Sequence, residues 1–199
     1  LLSPIITELT NEAPHIQLDT WFKDTLSLEH LNQGLLDFVI LPQDLGQAAK
    51  IGHQLITYEL YRDELVCLLR SNHPLLQDST LSWDQDTYLA CRHIHVRDNE
   101  LGAPVFDQTL AERGLHRNIA VQVPDFHSAS ALCSHSDLVF TTSTNWADYI
   151  CNKLKLTRLP MPCATLPVVY SLIWHQRSES DPAHLWFKDK LIKAGEARQ

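Results

Sequence analysis

The sequence has 199 residues, 44% of them hydrophobic and 20% charged, with a formal net charge of −8. That is chain enough for one ordinary domain or two small lobes with a buried core, and no apolar run approaches the ~20 residues that cross a bilayer. An acidic chain without a basic stripe is not expected to bind nucleic acid by itself.

Five cysteines, odd in number and without close pairing, point to reduced thiols in a cytoplasmic setting. No basic segment followed by an apolar stretch marks a secretory signal. The sequence opens on Leu1-Leu2 and holds one methionine, Met161, so it is expected to be a piece of a longer protein.

Leu1, Leu2, Ile5, Ile6 and Leu9 recur on one face of a helix, which Pro14 ends. Residues 15–22 alternate as a strand, with Ile16 and Leu18 on one side. Asp24 is placed to cap a second helix in which Leu28, Leu31 and Leu35 share a face, and Gly34 closes it. Residues 35–41 (LLDFVIL) are the nearly continuous apolar run of a strand buried on both faces. Two further apolar runs, around 55–60 and 64–69, lead to the turn-like break Ser71-Asn72-His73-Pro74.

The rhythm then restarts. Residues 88–96 read as a strand, and Pro104 sits near the first turn of a helix that Gly114 ends. Strands at 118–123 and 138–142 alternate with helices at 126–133 and 144–152, and strands follow at 154–159 and 168–174. Asp181-Pro182 starts the last helix. Helix–strand–helix–strand predicts an α/β fold of two Rossmann-like lobes. Residues 1–75 and 165–199 are expected to form one lobe and 76–164 the other, with the last strand and helix returning to the first. A lobe of this kind starts on a strand and this chain starts on a helix, so the first strand of lobe 1 is expected to be missing from it.

Catalytic signatures are absent: the sequence has no G-x-S-x-G, H-E-x-x-H or C-x-x-C, and with six glycines no phosphate-cradling loop. No enzyme activity and no cofactor are expected. Cys91, His93 and His95 share one face if 91–95 is a strand, but ~3.3 Å per residue sets Cys91 and His95 ~13 Å apart. No metal is expected there.

Four motifs in order carry a resemblance. Residues 2–16 read L-x-P-x-I-x-x-L-x-x-E-x-P-x-I, residues 31–40 L-x-x-G-x-L-D-x-x-I, and residues 114–126 G-L-x-R-x-I-A-x-x-V-P-x-F. Residues 174–186 carry W-H-x-R and then D-P-A-H-x-W. Together they resemble the effector-binding domain of LysR-type transcriptional regulators, and the tail looks like the nodulation and leucine-operon branch. The resemblance implies a fold like type 2 periplasmic binding proteins, closing over a small-molecule effector between two lobes. It implies a homodimer or homotetramer, and DNA contact only through an N-terminal winged helix-turn-helix outside this chain. A free-standing solute-binding protein of a transport system would share the fold and is the alternative.

In such sheets ligands sit beyond the carboxyl ends of strands, where helix starts offer free N–H groups. That rule selects Trp21, Thr25, Pro42, Gln43, Arg97, Asp125, Phe126, Ser128 and Thr142. The hydroxyls and Arg97 suit an anionic ligand, Asp125 opposes one, and Trp21 and Phe126 could enclose a ring. His93, in His93-Ile94-His95-Val96, matches a position where some members of the family contact their effector; a histidine simply packed in the strand is the other reading. His175 and Arg177 are expected at a strand exit, satisfied by turn carbonyls or carboxylates.

Overall fold

A computed structural model describes residues 2–21, 28–43, 53–78, 80, 82–97 and 105–198. The chain divides into two compact units, Leu1–Arg62 with Val168–Gln199, and Asp63–Pro167.

In the first unit, α1 (Leu2–Glu12) turns Ile5 and Leu9 inward, as its spacing predicts, but leaves Ile6, expected on the same face, exposed. It lies against α8 (Pro182–Glu196), where Leu191 joins the same core and Lys190 reaches Glu8 and Glu12 at 2.7 and 2.9 Å. The sheet has three strands: β1 (Phe38–Gln43), β2 (Leu55–Asp63) and, in the middle, β8 (Val168–His175). β1 and β8 are antiparallel, from Phe38 opposite Trp174 to Gln43 opposite Val169. The last strand and helix thus lie in the first unit.

Two expectations change here. Residues 16–21 form no strand, and Ile16 and Trp21 are exposed. Alternation buries a face only where a neighbouring strand completes the ladder, and the described residues supply none at this point. The buried strand also starts later than the apolar run. Gly34, at φ 75°, ends α2 (Glu29–Gln33), and the amides of Leu35 and Leu36 turn back to the His30 carbonyl. Leu35 and Leu36 are thus consumed by a left-handed helix stop rather than by the sheet.

The tail fastens that stop. Arg177 donates to the Leu31 and Asn32 carbonyls, the latter at 2.7 Å, so the end of α2 is closed by a guanidinium. His175 Nδ1 accepts the Arg177 amide at 3.0 Å, in a short 3-10 turn (Gln176–Ser180). Asp181 caps α8 by accepting from the Ala183 and His184 amides at 2.8 and 3.2 Å. The His184 ring then stacks on Phe38 with centroids 4.0 Å apart. Carbonyls satisfy Arg177, as expected. Replacing it by alanine should cost about 1–2 kcal/mol, two charge-assisted bonds partly compensated by water. A urea midpoint unchanged in Arg177→Ala would show that the cap contributes nothing.

The second unit holds five strands in the order β5-β4-β6-β3-β7: β3 (Leu65–Arg70), β4 (Arg92–Val96), β5 (Asn118–Val123), β6 (Val139–Ser143) and β7 (Leu156–Pro160). β4 is parallel to β5 and β6, whereas β3 is antiparallel to β6 and β7. Successive side chains of β3 serve opposite faces. Val66 and Leu68 join a core with α6 (Phe126–Ser134) and α7 (Thr144–Leu154). Cys67 and Leu69 join another with Tyr88 of α4 (Gln85–Ala90) and with Phe106 and Leu110 of α5 (Val105–Glu112).

β3 therefore belongs with residues 76–164 rather than with the first lobe. The break at 71–74 is a real turn, but it lies inside the second unit. There, His73 Nδ1 accepts the Leu75 amide at 3.1 Å and opens the short α3 (Pro74–Gln77). The strand read at 88–96 is also shorter than its apolar run. Asp84 caps α4 through the Thr87 amide at 2.9 Å, so Tyr88, Leu89 and Ala90 finish a helix and β4 starts at Arg92. Cys91 closes that helix and is not a strand residue.

Candidate functional site

Because β4, β5 and β6 run parallel, their carboxyl ends meet at one edge of the second sheet. Arg97 follows β4, its amide donating to the Val123 carbonyl at 2.8 Å, and its exposed side chain carries no ion pair among the described residues. β5 runs into Asp125, which caps α6. Its carboxylate accepts the Ser128 amide at 2.8 Å and the Ser128 hydroxyl at 2.7 Å. The bond from the Ser128 amide, then that from its hydroxyl, holds the Asp125 carboxyl below its usual range. Phe126 sets its ring edge-on to Phe140 and Trp146, at 5.9 and 5.6 Å.

β6 delivers Thr142 to the same edge. Its neighbour Thr141 turns its hydroxyl the other way, to the Tyr88 hydroxyl at 2.7 Å. By alternation Thr142 shares the face of Phe140, the face that α6 and α7 cover. Thr142 is 2% exposed and its hydroxyl has no partner among the described residues.

Sequence reading missed the residue that caps α7. Ser143, at the capping position, makes no side-chain bond. Asp63, only 5% exposed, does the work from the end of β2, accepting from the Asn145 amide at 3.2 Å and the Asn145 side-chain amide at 3.0 Å. In the sequence it is one of two adjacent acids between apolar runs, and Asn145, at the start of the helix it caps, lies 82 residues further on.

The remaining candidates lie elsewhere. His93 is fully buried, with Nε2 2.9 Å from the Tyr88 carbonyl, its ring edge-on to Tyr88 at 4.6 Å and Nδ1 unpartnered. That is the packed-histidine arrangement, on the sheet face opposite Thr142. Burial, then the positive charge of Arg117, lowers its pKa to about 4. In the first unit, Pro42 lies opposite Tyr170 and Gln43 opposite Val169 at the end of β1. Trp21 donates to Asp19 at 3.0 Å and meets His30 edge-on at 5.8 Å. Thr25 lies outside the described residues. No group of three or more His, Cys, Asp or Glu among the described residues could hold a metal ion.

Residues 1–196 match the family model described as the LysR substrate binding domain. The chain belongs to that family. It is an effector-binding domain of the LysR transcription-regulator type, not an enzyme. It is 31% identical over 201 residues to the HTH-type transcriptional regulator SyrM of Rhizobium meliloti (strain 1021), covering 98% of this chain and 57% of that protein. This LysR domain thus spans little more than half the length of such curated relatives. Among solved structures it resembles the probable transcriptional regulator PA0477 from Pseudomonas aeruginosa, with a TM-score of 0.81 and 28% identity over 96% of this chain and 61% of that one. The effector binding domain of QuiR in complex with shikimate shares the fold, with a TM-score of 0.74 and 16% identity over 98% and 90% of the two chains. The fold is the two-lobed α/β architecture of LysR regulatory domains.

Proposed function

We propose that this LysR domain senses a small effector for a longer, cytoplasmic, DNA-binding transcription regulator. The family match over residues 1–196 carries the reading. The chain covers 57% of SyrM, which leaves room in such a protein for the winged helix-turn-helix that would touch DNA. The Trp-His-x-Arg tail supports a place in the nodulation and leucine-operon branch, and homodimers or homotetramers are the assemblies expected. The effector is a small organic acid whose charge is met at Arg97, with Trp21, Thr25, Pro42, Gln43, Phe126 and Thr142 as further candidate contacts. Asp125 and Ser128 shape the start of α6, and His93 supports the second unit's sheet from within. Effector binding would act by favouring one of two states of the protein.

A thermal-shift screen of small aromatic and aliphatic acids tests this directly. A ligand at a hundred times its Kd should add about 2.7 kcal/mol to stability, a readily measured rise in Tm. No rise with any acid at millimolar concentration would overturn the reading.

A further inference from the structure

Parallel strands followed by helix starts usually offer an anion free N–H groups. Here an acidic side chain already sits at each start at the second unit's strand edge. At α6 the Asp125 carboxylate takes the Ser128 amide and hydroxyl. At α7 the Thr144 amide goes to the Glu64 carbonyl at 2.9 Å, and the Asn145 amide to the Asp63 carboxylate. Asp125 is held ionised by its bonds to Ser128. A second carboxylate arriving there would find three of the donors engaged and an acidic side chain at each start.

Beside these starts lies a polar group of the opposite kind. The Thr142 hydroxyl is buried, unpartnered and turned to the face that α6 and α7 cover. Native interiors keep few such groups, and a valine of the same shape would fill the space without one. A hydroxyl both donates and accepts, so it suits an uncharged partner that does the same. Phe126, 39% exposed and edge-on to Phe140 and Trp146, stands on that face as an apolar wall.

We propose that the second unit's part of the effector site takes an uncharged, hydrogen-bonding group on a planar ring, such as an amide or a hydroxyl. Thr142 is its polar partner, Phe126 the wall that moves to admit it, and Asp125 and Asp63 exclude a carboxylate. This rests on the effector-sensing reading and narrows it. The effector's acid group stays outboard at Arg97, and its other end is neutral.

Terephthalate and its monoamide, 4-carbamoylbenzoate, share one carboxylate and differ only at the far end. Calorimetry on the 199-residue chain should find the monoamide at least about tenfold tighter, the scale of one neutral hydrogen bond. Asp125→Asn, which keeps a capping side chain, should narrow that gap. Thr142→Val should weaken the monoamide about tenfold, leave terephthalate unchanged and raise the Tm of the unliganded domain, since it removes an unpaired hydroxyl. A lost fold would weaken both probes and lower the Tm. Terephthalate binding as tightly as the monoamide would overturn the proposal, as would monoamide affinity indifferent to Thr142→Val. If neither probe binds while other acids raise the Tm, this inference fails and the sensing function stands; if nothing binds, both fail.

Discussion

Asp107→Ala is expected to destabilise the second unit by about 3 kcal/mol, near the low end for breaking a buried ion pair. Arg117 leads into β5, and its side chain is only 4% exposed. It meets Asp107 of α5 through two parallel bonds, Nε to Oδ1 at 2.7 Å and Nη2 to Oδ2 at 2.6 Å. Forked bonds of this kind fix geometry as well as charge. Asp107 retains 25% exposure, so water recovers part of the loss. Removing the acid leaves a guanidinium beneath Phe106, 5.6 Å from the ring, without its counter-charge. The double variant Asp107→Leu with Arg117→Met should cost less than Asp107→Ala alone, because no orphan charge remains. Urea unfolding of the three proteins decides the matter. A loss under about 1 kcal/mol for Asp107→Ala would place the pair with ordinary surface bridges.

Stability should also fall by about 3 kcal/mol through His93 as the pH drops from above 6.5 to about 4. The sign follows from proton counting. Below pH 6.5 the unfolded chain protonates this histidine, while the folded chain keeps it neutral down to about 4. Protons therefore favour the unfolded state across that window, and the contribution is complete only above it. Burial is the first cause and the Arg117 charge the second. Both act against an imidazolium whose Nδ1 already lacks an acceptor. His93→Gln can keep a bond to the Tyr88 carbonyl and does not titrate, so its stability should lose this component of the pH slope. Other groups titrate in both proteins, so the difference between the two curves isolates His93. Identical slopes would exclude it as the source. The two experiments are coupled, since Asp107→Ala removes the charge that screens Arg117 from His93.

Much of the second unit was legible because its signals are local. The strand at 118–123 stands between Gly114, at φ 70°, and Asp125, a helix-capping acid, and its bounds were read correctly. The last helix was likewise marked by Asp181-Pro182 at its start. What escaped was decided by neighbours distant in sequence. Nothing in the β3 sequence tells which sheet it enters; pairing with β6 and β7 decides that. Asp63 meets Asn145 across the fold, and no short motif joins them. Residues 16–21 alternate convincingly but have no described partner strand, so pattern alone misled. The candidate site was half legible for the same reason. The strand-end rule gathered Arg97, Asp125, Phe126, Ser128 and Thr142 at one edge, but it could not tell that both helix starts there are already occupied, or that His93 faces inward.

The first unit's sheet carries a consequence for synthesis. β8 is its middle strand, with β1 and β2 on either side, yet it is the last of the three to leave the ribosome. Asp63–Pro167 is continuous and holds the five described strands of its own sheet, so that sheet can pair while translation proceeds. Among the described strands, β1 and β2 have no partner until residues 168–175 appear. Unpaired edges invite pairing with other chains, which makes that interval the one in which a nascent chain most needs a chaperone.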